Sequence, residues 1–409
     1  MIYSQNNTTN GRIAFILDNV FPPDARVQNE AIALIRAQYE VHLFCLDYTG
    51  IQKDREEYLG IKIHRYRVPS FYHNISGWAY SFPLYHRLMQ PLLARFLSDV
   101  NPDFIHIHDI QIAQAVFNIN KNKLPVVLDL HENRPEIMKY YDHVQKIPGK
   151  WFINPERWKK SEARFIQFSD KIIVVTPEAK KYYVKNLNFN PEKITVLPNT
   201  VSENFYKNAP SYDSIAHKFK NNFVILYVGR TGLRRGLAEV INSLPRIRKE
   251  IPNIKLVIVG NSKSDPYLMQ LAKILNLADN ISFEGYQNAE LLPSYIRASH
   301  IGISPLHRNI HHDTTYANKL FQYLSLAKPV IVSDCTSQKR IVEENNCGLV
   351  FKSQDSKDFA RQVLALYHDP VLRDTFGRNG KRFVREDFNW STISRPLVEL
   401  YDQLTLTIS

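Results

Sequence analysis

Short runs of apolar residues recur along the first half of the chain, and segments with helical spacing separate them. The runs are RIAFIL, EVHLFCL, IKIHRYRV, FIHIH, PVVLDL, KIIVVT and KITVLPN. Runs of this length that are almost wholly apolar indicate strands buried on both faces, as in a parallel sheet. Because helical segments such as VQNEAIALIRA and AQAVFNIN lie between them, the pattern predicts a doubly wound α/β domain over residues 12–199.

A second series of the same kind follows a polar segment, residues 200–222, which the pattern predicts to be an interdomain connector. The second series contains FVILYVG, IKLVIVGN, NISFEGY, HIGISPL, KPVIVSD and CGLVF, and it predicts another doubly wound domain over residues 223–385. Residues 1–11 are predicted to be a flexible N-terminus. Residues 386–409 are predicted to be a C-terminal helix, with packing back on the N-terminal domain as one arrangement. Ligands are expected beyond the carboxyl ends of both sheets, in a cleft between the domains.

The composition is that of a globular protein, with 44% hydrophobic and 12% aromatic residues among 409. The net charge of +12 indicates an anionic partner such as a nucleotide, an acidic lipid or a nucleic acid. The basic residues are dispersed, without a long basic run or the signature of an RNA-recognition motif, so no binding to nucleic acid is predicted. The three cysteines are far apart, which predicts a reducing, cytoplasmic compartment.

The first residues lack the apolar segment of a secretory signal, and no apolar run approaches the roughly 18–20 residues of a membrane-spanning helix. Membrane contact is therefore predicted to be peripheral, at the inner face of the cytoplasmic membrane. The segment WAYSFPLYHRLMQPLLARFLSDV, residues 78–100, combines aromatic residues, leucines and arginines. It is suited either to lie on an anionic lipid surface or to pack on the sheet of the first domain.

The first strand of the second domain is followed by a loop with arginines, in the sequence VILYVGRTGLRRGLAEVI. Gly229 ends the strand, Arg230 and Arg235 lie in the loop, and a helix begins near Gly236. Guanidinium groups and free N–H groups at a helix start bind phosphate, so the loop predicts a site for a diphosphate. The spacing matches neither a Walker motif nor the G-x-G-x-x-G fingerprint. The alternative is a surface loop with solvated arginines.

A polar loop and a short amphipathic helix come later, in HHDTTYANKLFQYLSLA. The loop residues Asp313, Thr314, Thr315 and Tyr316 precede the helix, whose first turns carry Asn318, Lys319, Leu320 and Gln322. Such a loop beside a helix start is suited to bind anions or sugar hydroxyls. The sequence HHD would also suit a metal, but adjacent side chains seldom converge on one ion and no second ligand cluster has a recognisable spacing. We therefore predict no metal site.

Two strands of the first domain end in histidine and carboxylate residues. In DFIHIHD, His108 and Asp109 fall near the carboxyl end of the strand. In VVLDLHENRPE, the residues Asp129, His131 and Glu132 lie at the same level of the next strand. A histidine beside a carboxylate at such a position acts in proton transfer or binds a sugar hydroxyl, unless it is only a structural hydrogen-bonding group.

Together these motifs resemble the nucleotide-sugar-dependent glycosyltransferases of the GT-B architecture, specifically the retaining group 1 or family 4 class. The resemblance extends from Arg12 to about Leu404. It depends on the order of DARVQNEAIAL, FIHIHD, LDLHENRPE, DKIIVVT, ITVLPN, YVGRTGLRRGL, LVIVGN, FEGY and NKLFQYLSLAKPVIVSD. It implies two Rossmann-like domains that face a cleft, with the acceptor side in the first and the nucleotide sugar in the second.

By this resemblance Arg230 and Arg235 match the pair of basic residues that binds the donor diphosphate. These two arginines and His131 are the expected catalytic residues. The donor site is expected to contain Gly229, Arg230, Arg235, Tyr286, Asp313, Thr314, Thr315, Tyr316, Asn318, Lys319, Leu320 and Gln322. The acceptor side is expected to contain Asp24, Arg26, His108, Asp109 and Glu132.

The sequence departs from the family pattern at three places. The family commonly has two glutamates separated by seven residues, whereas this chain has Thr314 and Gln322 at those positions. A glutamine still accepts a hydrogen bond from a ribose hydroxyl, but without the contribution of a charge. The glycine-rich first loop is replaced by LDNVFPPDARV, and Arg235 stands where many members have lysine.

The implied reaction is transfer of a hexose-type sugar from a nucleoside-diphosphate sugar to a glycan or lipid-linked acceptor, with retention of configuration. Synthesis of cell-surface polysaccharide or lipopolysaccharide is the implied context. The sequence has no D-x-D motif, so neither a metal nor a cofactor is expected. Two alternatives are a sugar-nucleotide 2-epimerase, which shares the architecture and the ligand, and a non-catalytic sugar-nucleotide-binding protein of polysaccharide assembly, which the missing glutamates suggest.

Overall fold

The structure, a computed structural model, describes residues 9–147 and 149–408 and divides into two compact units. The first unit runs to Pro198 and also contains the chain from Ser394 onward, and the second unit is Asn199–Ile393. Of the segment predicted to be a flexible N-terminus, residues 1–8 lie outside the described residues, and residues 9–11 precede the first strand.

The first unit is built on an eight-stranded sheet. Its strands are β1 (Arg12–Leu17), β2 (Glu40–Asp47), β3 (Arg55–Tyr58), β4 (Ile61–Arg67), β5 (Phe104–His108), β6 (Val126–Leu130), β7 (Lys171–Val174) and β8 (Ile194–Val196). The order is β3-β4-β2-β1-β5-β6-β7-β8, with β3 antiparallel to β4 and the other neighbours parallel. The chain reverses direction across the sheet between β1 and β5, so ligands are expected beyond the carboxyl ends of these strands.

Helices cover both faces of this sheet. Those before the second unit are α1 (Ala25–Arg36), α2 (Phe71–Ser76), α3 (Leu84–Val100), α4 (Ala113–Ile119), α5 (Arg134–Met138), α6 (Asp142–Gln145), α7 (Gly149–Phe152), α8 (Pro155–Phe168) and α9 (Pro177–Leu187). Apolar residues of α3, α4 and α8 pack against Ile16, Ile105 and Ile107 on one face. On the other face Glu30 of α1 lies beside His106.

The second unit has a six-stranded parallel sheet. Its strands are β9 (Phe223–Val228), β10 (Ile254–Val259), β11 (Ile281–Gly285), β12 (Ile301–Ser304), β13 (Val330–Ser333) and β14 (Gly348–Phe351), in the order β11-β10-β9-β12-β13-β14. Its helices are α10 (Glu203–Lys207), α11 (Asp213–Phe219), α12 (Leu237–Glu250), α13 (Asp265–Ile274), α14 (Leu292–Ala298), α15 (Ile310–Asp313), α16 (Asn318–Ser325), α17 (Thr336–Glu344), α18 (Ser356–His368), α19 (Pro370–Arg382) and α20 (Trp390–Ile393). Here the chain reverses between β9 and β12, which places the expected ligand region at their carboxyl ends.

The prediction of two doubly wound domains is confirmed, and the predicted apolar runs are strands. Strand β3 was not predicted, because its sequence REEY has no apolar face. It lies at the edge of the sheet with exposed side chains, where strand formation depends on pairing with β4 more than on burial.

The segment 200–222, predicted to be a polar connector, instead contains α10 and α11 and belongs to the second unit. Ile215 and Phe219 lie one helical turn apart on α11 and are buried with Tyr206 of α10 in the core of that unit. Polar residues surround these three in the sequence, so the apolar pattern is too weak to predict α10 and α11.

The predicted C-terminal helix is divided into two parts. Helix α20 ends at Ile393 in the second unit, and α21 (Arg395–Ile408) belongs to the first. Pro396 is the second residue of α21, and because proline has no N–H group it begins a helix more readily than it continues one. The hydroxyl of Tyr401, which is fully buried, lies 2.8 Å from Nδ1 of His106 in β5.

The segment 78–100 mostly packs on the sheet of the first unit. Tyr85, Met89 and Phe96 of α3 are buried in the core, whereas Phe82 and Leu84 at the start of the segment are exposed. None of the helices in the described part of the chain combines the length and hydropathy needed to cross a bilayer.

Gly236 joins the arginine loop to α12 and has a φ of 73°. A Cβ atom there would lie 1.7 Å from the carbonyl oxygen of Pro305, which follows β12. Gly232 in the same loop has a φ of −56° and open space where a Cβ would lie. The start of α12 therefore approaches the backbone after β12 only because residue 236 has no side chain.

We expect Gly236→Ala to destabilise the protein by about 2 kcal/mol or more, because the new methyl group must displace the Pro305 backbone and the residue must keep a left-handed φ. Urea unfolding followed by circular dichroism would measure the loss. Gly232→Ala is the matched control and should change the free energy of unfolding by less than about 0.5 kcal/mol. Equal effects of the two substitutions would contradict this account of Gly236.

Candidate functional site

The candidate donor site of the second unit lies at the carboxyl end of β9. Gly229 follows the strand with a φ of 118°. The hydroxyl of Tyr227 donates to the carbonyl oxygen of Arg230 at 2.6 Å, and the hydroxyl of Thr231 donates to Asp265. These bonds fix the loop between β9 and α12 in one conformation.

Arg230 and Arg235 of this loop are cations without a counterion in the described part of the chain. Arg230 is exposed and Arg235 is half-buried, and neither side chain has an anionic partner among the residues that the structure describes. Arg234 differs, since its Nη1 lies 3.1 Å from Nε2 of His312. Helix α12 begins directly after the loop, and the N–H groups of its first turn have no acceptor within the helix. The loop therefore offers guanidinium groups and a helix N-terminus to an anion.

Lys319 of α16 is a third cation at the end of β9. Its Nζ lies 3.5 Å from the centroid of the Tyr227 ring, and a Cβ atom on Gly229 would lie 3.3 Å from Nζ. Lys319 is 9% exposed, and within the described ranges no carboxylate pairs with it. Burial and the charge of Arg235 lower the pKa of Lys319 well below its usual range. An anion bound beside Lys319 would raise this pKa again.

Tyr323 fixes α16 against the sheet. Its hydroxyl accepts a hydrogen bond from the N–H of Val228 at 2.8 Å. A Cβ atom on Gly302 of β12 would lie 2.4 Å from the Tyr323 ring, so the ring lies flat against that strand. This packing sets the position of the first turns of α16 relative to the arginine loop.

Two side-chain amides of α16 are available to a ligand. Asn318 is exposed and Gln322 is half-buried, and neither amide has a partner in the described part of the chain. Gln322 is three residues after Lys319, so the two occupy neighbouring positions on the helix surface. The helix thus presents a cation and neutral hydrogen-bonding groups close together.

Asp313, expected to hold the donor sugar, is already bonded within the protein. It accepts from Arg308 at 3.2 and 3.3 Å and from the backbone N–H of Thr336 at 2.8 Å. The carboxylate therefore satisfies the first N–H group of α17 and pairs with an arginine. A sugar hydroxyl would have to share an oxygen that these groups already use.

Other residues expected in the donor site also have their side chains turned to the protein. The hydroxyls of Thr314 and Thr315 donate to the carbonyl oxygens of Ile310 and His311, both at 2.7 Å. The Leu320 side chain has no exposed area and lies in the core, so for this side chain the expected donor contact does not hold. A ligand would therefore contact the backbone groups of these residues and not their side chains.

The two aromatic residues of the predicted donor site differ from each other. The hydroxyl of Tyr316 accepts from Nη2 of Arg340 at 2.5 Å, and its ring packs against Phe321. Tyr286 is 76% exposed just after β11. Its exposure makes the Tyr286 side chain accessible to a ligand.

His311 and His312 lie in the short helix α15 and are both buried. Burial lowers the pKa of His311 to about 2 and that of His312 to about 3. Nδ1 of His312 lies 2.7 Å from the carbonyl oxygen of His307. Because both histidines are neutral, they add no positive charge to the donor site.

The candidate site of the first unit lies where β5 and β6 end. His108 and Asp129 are paired in register. Nε2 of His131 lies 2.8 Å from the Asp129 carboxylate and 3.2 Å from Nδ1 of His108, and the N–H of His131 donates to Asp109 at 3.3 Å. Of the residues that the strand pattern placed at one level, His108, Asp109, Asp129 and His131 are therefore in contact, whereas Glu132 pairs with Arg134.

Arg26 of α1 holds the Asp129 carboxylate. Its Nε and Nη2 donate to the two oxygens of Asp129 at 2.8 and 2.6 Å, and its Nη1 donates to the carbonyl oxygen of Leu197 at 3.0 Å. Nε also lies 2.9 Å from Glu30. Burial opposes the charge of Arg26, but Asp129 and Glu30 raise its pKa above the usual range. Burial raises the pKa of Glu30 to about 8, although Arg26 opposes this.

The expected acceptor-side residues separate into buried and accessible ones. Arg26 and His108 are buried, so they act on a ligand only through other side chains. Asp24 caps α1, since its Oδ1 accepts from the N–H groups of Arg26 and Val27. Burial raises the pKa of Glu132, which pairs with an arginine, Arg134, at 3.0 Å.

His131 is charged at neutral pH. Burial opposes the charge, but Asp129 and Asp109 raise the pKa of His131 to about 9. A protonated imidazole is a hydrogen-bond donor and not a base. Because Nε2 contacts Asp129, the other nitrogen, which lies 4.0 Å from Asp109, is the one that can donate to a ligand.

A group that could hold a metal ion was not predicted. Ligand atoms of Glu30, His106, His108 and Asp129 lie within 4.8 Å of one another, and all four residues are buried. The guanidinium group of Arg26 already contacts both carboxylates. A divalent cation at this place would lie beside a second positive charge, so the donor set does not suit a metal while Arg26 is present.

Sequence reasoning also missed Asp18, Gln111 and Arg134. Burial raises the pKa of Asp18 to about 7, although the neighbouring side chains of Tyr85, Gln111 and Arg134 oppose this. Nη2 of Arg134 donates to Oε1 of Gln111 at 3.0 Å, and both residues line a cavity of about 450 Å³. The position of Asp18 could have identified it as a candidate, because it directly follows the apolar run of β1, as Asp109 follows that of β5.

Two family models match the chain. The model described as Glycosyltransferase Family 4 matches residues 25–205, and the model described as Glycosyl transferases group 1 matches residues 210–383. An uncharacterized glycosyltransferase of Methanocaldococcus jannaschii is 21% identical over 90% of each chain. The capsular polysaccharide biosynthesis glycosyltransferase CapM of Staphylococcus aureus is 27% identical over 56% of this chain and 61% of its own.

Solved structures of similar fold cover nearly the whole chain. Sucrose-phosphate synthase of Thermosynechococcus elongatus has a TM-score of 0.76 at 18% identity, over 97% of this chain and 100% of its own. Anabaena HepE in complex with UDP has a TM-score of 0.70 at 16% identity, over 96% of this chain and 100% of its own.

We expect Asp129→Asn to destabilise the protein by roughly 3–5 kcal/mol, because it leaves the buried guanidinium of Arg26 without its main counterion. It should also lower the pKa of His131 from about 9, as followed by NMR titration of the imidazole. Asp99→Asn is the control: Asp99 is 43% exposed in its pair with Arg55, and its loss should cost less than about 1 kcal/mol. An unchanged pKa of His131 would contradict the role given to Asp129.

Proposed function

Because the chain belongs to the GT-B glycosyltransferases of group 1 and family 4, we propose that it transfers a hexose-type sugar from a nucleoside-diphosphate sugar to a hydroxyl group of a glycan or lipid-linked acceptor. In this proposal the anomeric configuration is retained and the reaction proceeds without a metal ion. The product contributes to a cell-surface polysaccharide or lipopolysaccharide.

The observation that carries the proposal is the set of three unpaired cations at the end of β9. Arg230, Arg235 and Lys319 have no anionic partner among the described residues, and Lys319 is buried in addition. An unpaired buried cation is costly, which is why burial depresses the pKa of Lys319, and an anionic ligand at this place would offset the cost of its charged form. A diphosphate has two adjacent anionic groups and suits several cations at once. The similar fold of HepE binds UDP, which supports a nucleoside diphosphate here.

The cations assist departure of the diphosphate. As the bond between the anomeric carbon and the phosphate oxygen breaks, negative charge grows on that oxygen and positive charge on the carbon. Arg230, Arg235 and protonated Lys319 stabilise the negative charge, which is the electrostatic work that a metal ion does in other transferases. The departing phosphate then takes the proton of the acceptor hydroxyl, which is compatible with retention.

We assign Gln322 to the ribose of the donor. Its free amide oxygen accepts a hydrogen bond from a ribose hydroxyl, and its place three residues after Lys319 puts it beside a cation that binds phosphate. The amide carries no charge, so this bond is weaker than one to a carboxylate. The backbone groups of residues 313–316 remain for the sugar hydroxyls.

We assign His131 to the transferred sugar as a hydrogen-bond donor. Its charge at neutral pH follows from a pKa of about 9, so it stabilises oxygen atoms and does not remove a proton. The carboxylate of Asp129 holds the imidazole of His131 in place through the 2.8 Å contact with Nε2. We therefore assign the role of proton acceptor to the leaving phosphate.

We place the acceptor hydroxyl near Asp18 and Asp109 in the first unit. Asp18, with a pKa of about 7, is partly ionised at neutral pH and so both donates to and accepts from sugar hydroxyls. The name of the relative CapM supports an acceptor in polysaccharide synthesis. The net charge of +12 supports peripheral contact with an anionic membrane at its cytoplasmic side.

We expect Arg230→Ala and Arg235→Ala each to weaken UDP binding by about 1.5–3 kcal/mol, since each removes a hydrogen bond between charged groups. Calorimetric titration with UDP measures the effect. UMP should bind less tightly to the wild type and be less affected, because it lacks the second phosphate. Arg378→Ala is the control, since that guanidinium is exposed and bonded to Asp374 in the same unit, and it should leave UDP binding unchanged.

Incubation with nucleotide sugars tests the reaction itself. Release of the nucleoside diphosphate that accelerates when a glycan or lipid acceptor is added is the expected result. Conversion of the nucleotide sugar to its epimer would assign an isomerase instead. Tight binding of nucleotide sugars without turnover on any acceptor would assign a binding protein.

We expect UDP binding to be accompanied by proton uptake at Lys319. The pKa of Lys319 is depressed in the free protein, and the diphosphate raises it. In the pH window between these two values the free lysine is neutral and the bound lysine is charged, so UDP affinity falls as pH rises through that window. Calorimetry in buffers of different ionisation enthalpy measures the uptake.

The control for this measurement is Lys328→Met. Burial lowers the pKa of Lys328 to about 8, but its Nζ donates to the carbonyl oxygens of Arg297 and Ser299 away from β9's carboxyl end. Lys319→Met should abolish proton uptake and Lys328→Met should preserve it. Equal uptake in wild type and Lys319→Met would contradict the placement of the diphosphate beside Lys319.

A further inference from the structure

The start of α3 and the segment around α7 form an exposed apolar groove in the first unit. Ile75, Trp78, Phe82, Leu84 and Phe152 line it, and its volume is about 410 Å³. Phe82 and Leu84 are 45% and 51% exposed. The Phe152 ring lies 5.5 Å from that of Trp78 and 5.8 Å from that of Phe82. Large apolar side chains gathered in an open groove indicate a surface that binds an apolar partner.

The groove adjoins the cavity described above, which we call the polar cavity because the side chains of Gln111, Arg134 and Lys146 line it. Trp78 lines both the apolar groove and the cavity of about 450 Å³ that contains Gln111 and Arg134. Arg134 is bonded to Glu132. Burial raises the pKa of Asp18, and its neighbours Gln111 and Arg134 oppose this rise. One continuous path therefore leads from the carboxyl ends of the strands to an apolar surface. A ligand that fills it has a polar end and an apolar end.

The charges along this path select an anion. The described residues that line the two cavities include no aspartate or glutamate, whereas they include Arg87 and Lys146. Both of these side chains are exposed, and neither has a partner among the described residues. The sequence of residues 134–160 contains seven lysines and arginines and three acidic residues. A negatively charged group between the polar and apolar ends of the ligand complements this surface.

We propose that the groove binds the hydrocarbon chain of a lipid-linked acceptor whose phosphate is attracted by Lys146 and Arg87. The polar head of the lipid, which carries the hydroxyl to be glycosylated, occupies the polar cavity. This inference rests on the transfer reaction proposed above and narrows its acceptor from glycans in general to phosphate-bearing lipids.

The shape of the site favours a single chain over the surface of a bilayer. A bilayer is contacted by side chains that protrude into it, whereas Trp78, Phe82 and Phe152 surround a concave space. A flexible hydrocarbon chain fills a concave space and removes apolar surface of both partners from water. The groove thus holds the lipid while the polar cavity positions its head.

The test compares dodecyl phosphate with butyl phosphate, each monomeric in solution, as ligands of the full-length protein. Dodecyl phosphate should bind at least roughly 100-fold more tightly, since burial of each methylene group tightens binding several-fold. A dodecyl phosphate brominated on its chain should quench tryptophan fluorescence, because Trp78 lines the groove.

Substitutions of residues that line the groove test where dodecyl phosphate binds. Phe82→Asn together with Leu84→Asn should weaken dodecyl phosphate at least about 10-fold and leave butyl phosphate unchanged, since the apolar contacts are lost and the cations are kept. Ile51→Asn is the matched control, because Ile51 is 86% exposed in the same unit and does not line the groove. Lys146→Gln should weaken both phosphates.

Several results would overturn the proposal. Equal affinities for the two phosphates would show that the hydrocarbon chain does not bind in the groove. Unchanged affinity of the double variant for dodecyl phosphate would show the same. Binding to anionic vesicles without binding to monomeric dodecyl phosphate would assign the surface to a bilayer, and a dimer that the double variant dissociates would assign it to a second copy of this chain. None of these measurements uses a nucleotide sugar or turnover, so they fail or succeed independently of the transfer reaction.

Discussion

The ion pair between Arg26 and Asp129 is the interaction on which the candidate site of the first unit depends. Moving two charges out of water costs several kcal/mol per ion, and only good geometry and further hydrogen bonds offset it. Here the guanidinium makes two bonds to Asp129, at 2.6 and 2.8 Å, and a third to the carbonyl oxygen of Leu197. The pair therefore joins α1, β6 and the chain after β8. It also fixes the carboxylate that holds His131.

The second unit uses its buried residues in a different way. Tyr323 and Tyr227 anchor α16 and the arginine loop to β9 through neutral hydrogen bonds. The cations that they support, Arg235 and Lys319, are left without counterions among the residues that the structure describes. A site with compensated charges is stable when empty, whereas a site with uncompensated cations becomes more favourable when an anion binds. The two units thus differ in whether the protein itself compensates the cations at the ends of its strands.

Most of the fold followed from the sequence because the strands other than β3 are largely apolar runs, such as FIHIH and FVILYV, whose burial determines them. The register of β5 and β6 also followed from the alternation, so His108 and Asp129 were expected at one level. The roles of single side chains did not follow. Arg26 stands in a polar segment that reads as a loop, yet α1 packs it into the interior. Asp18 was missed because one carboxylate after a strand carries no signal until packing buries it.

The glutamine at position 322 acquires a physical meaning from its neighbour. A glutamate there would lie three residues from Lys319 on α16, close enough to pair with it in the free protein. Such a pair would stabilise the charged lysine before any donor binds. With Gln322 the lysine has no such partner, and its pKa is depressed by burial and by Arg235. With glutamine at position 322, the charge of Lys319 is balanced only when an anion, such as the proposed diphosphate, binds beside it. Glutamine at position 322 thus gives up the charge of one ribose contact and, by the same change, leaves the protonation of Lys319 dependent on a bound anion.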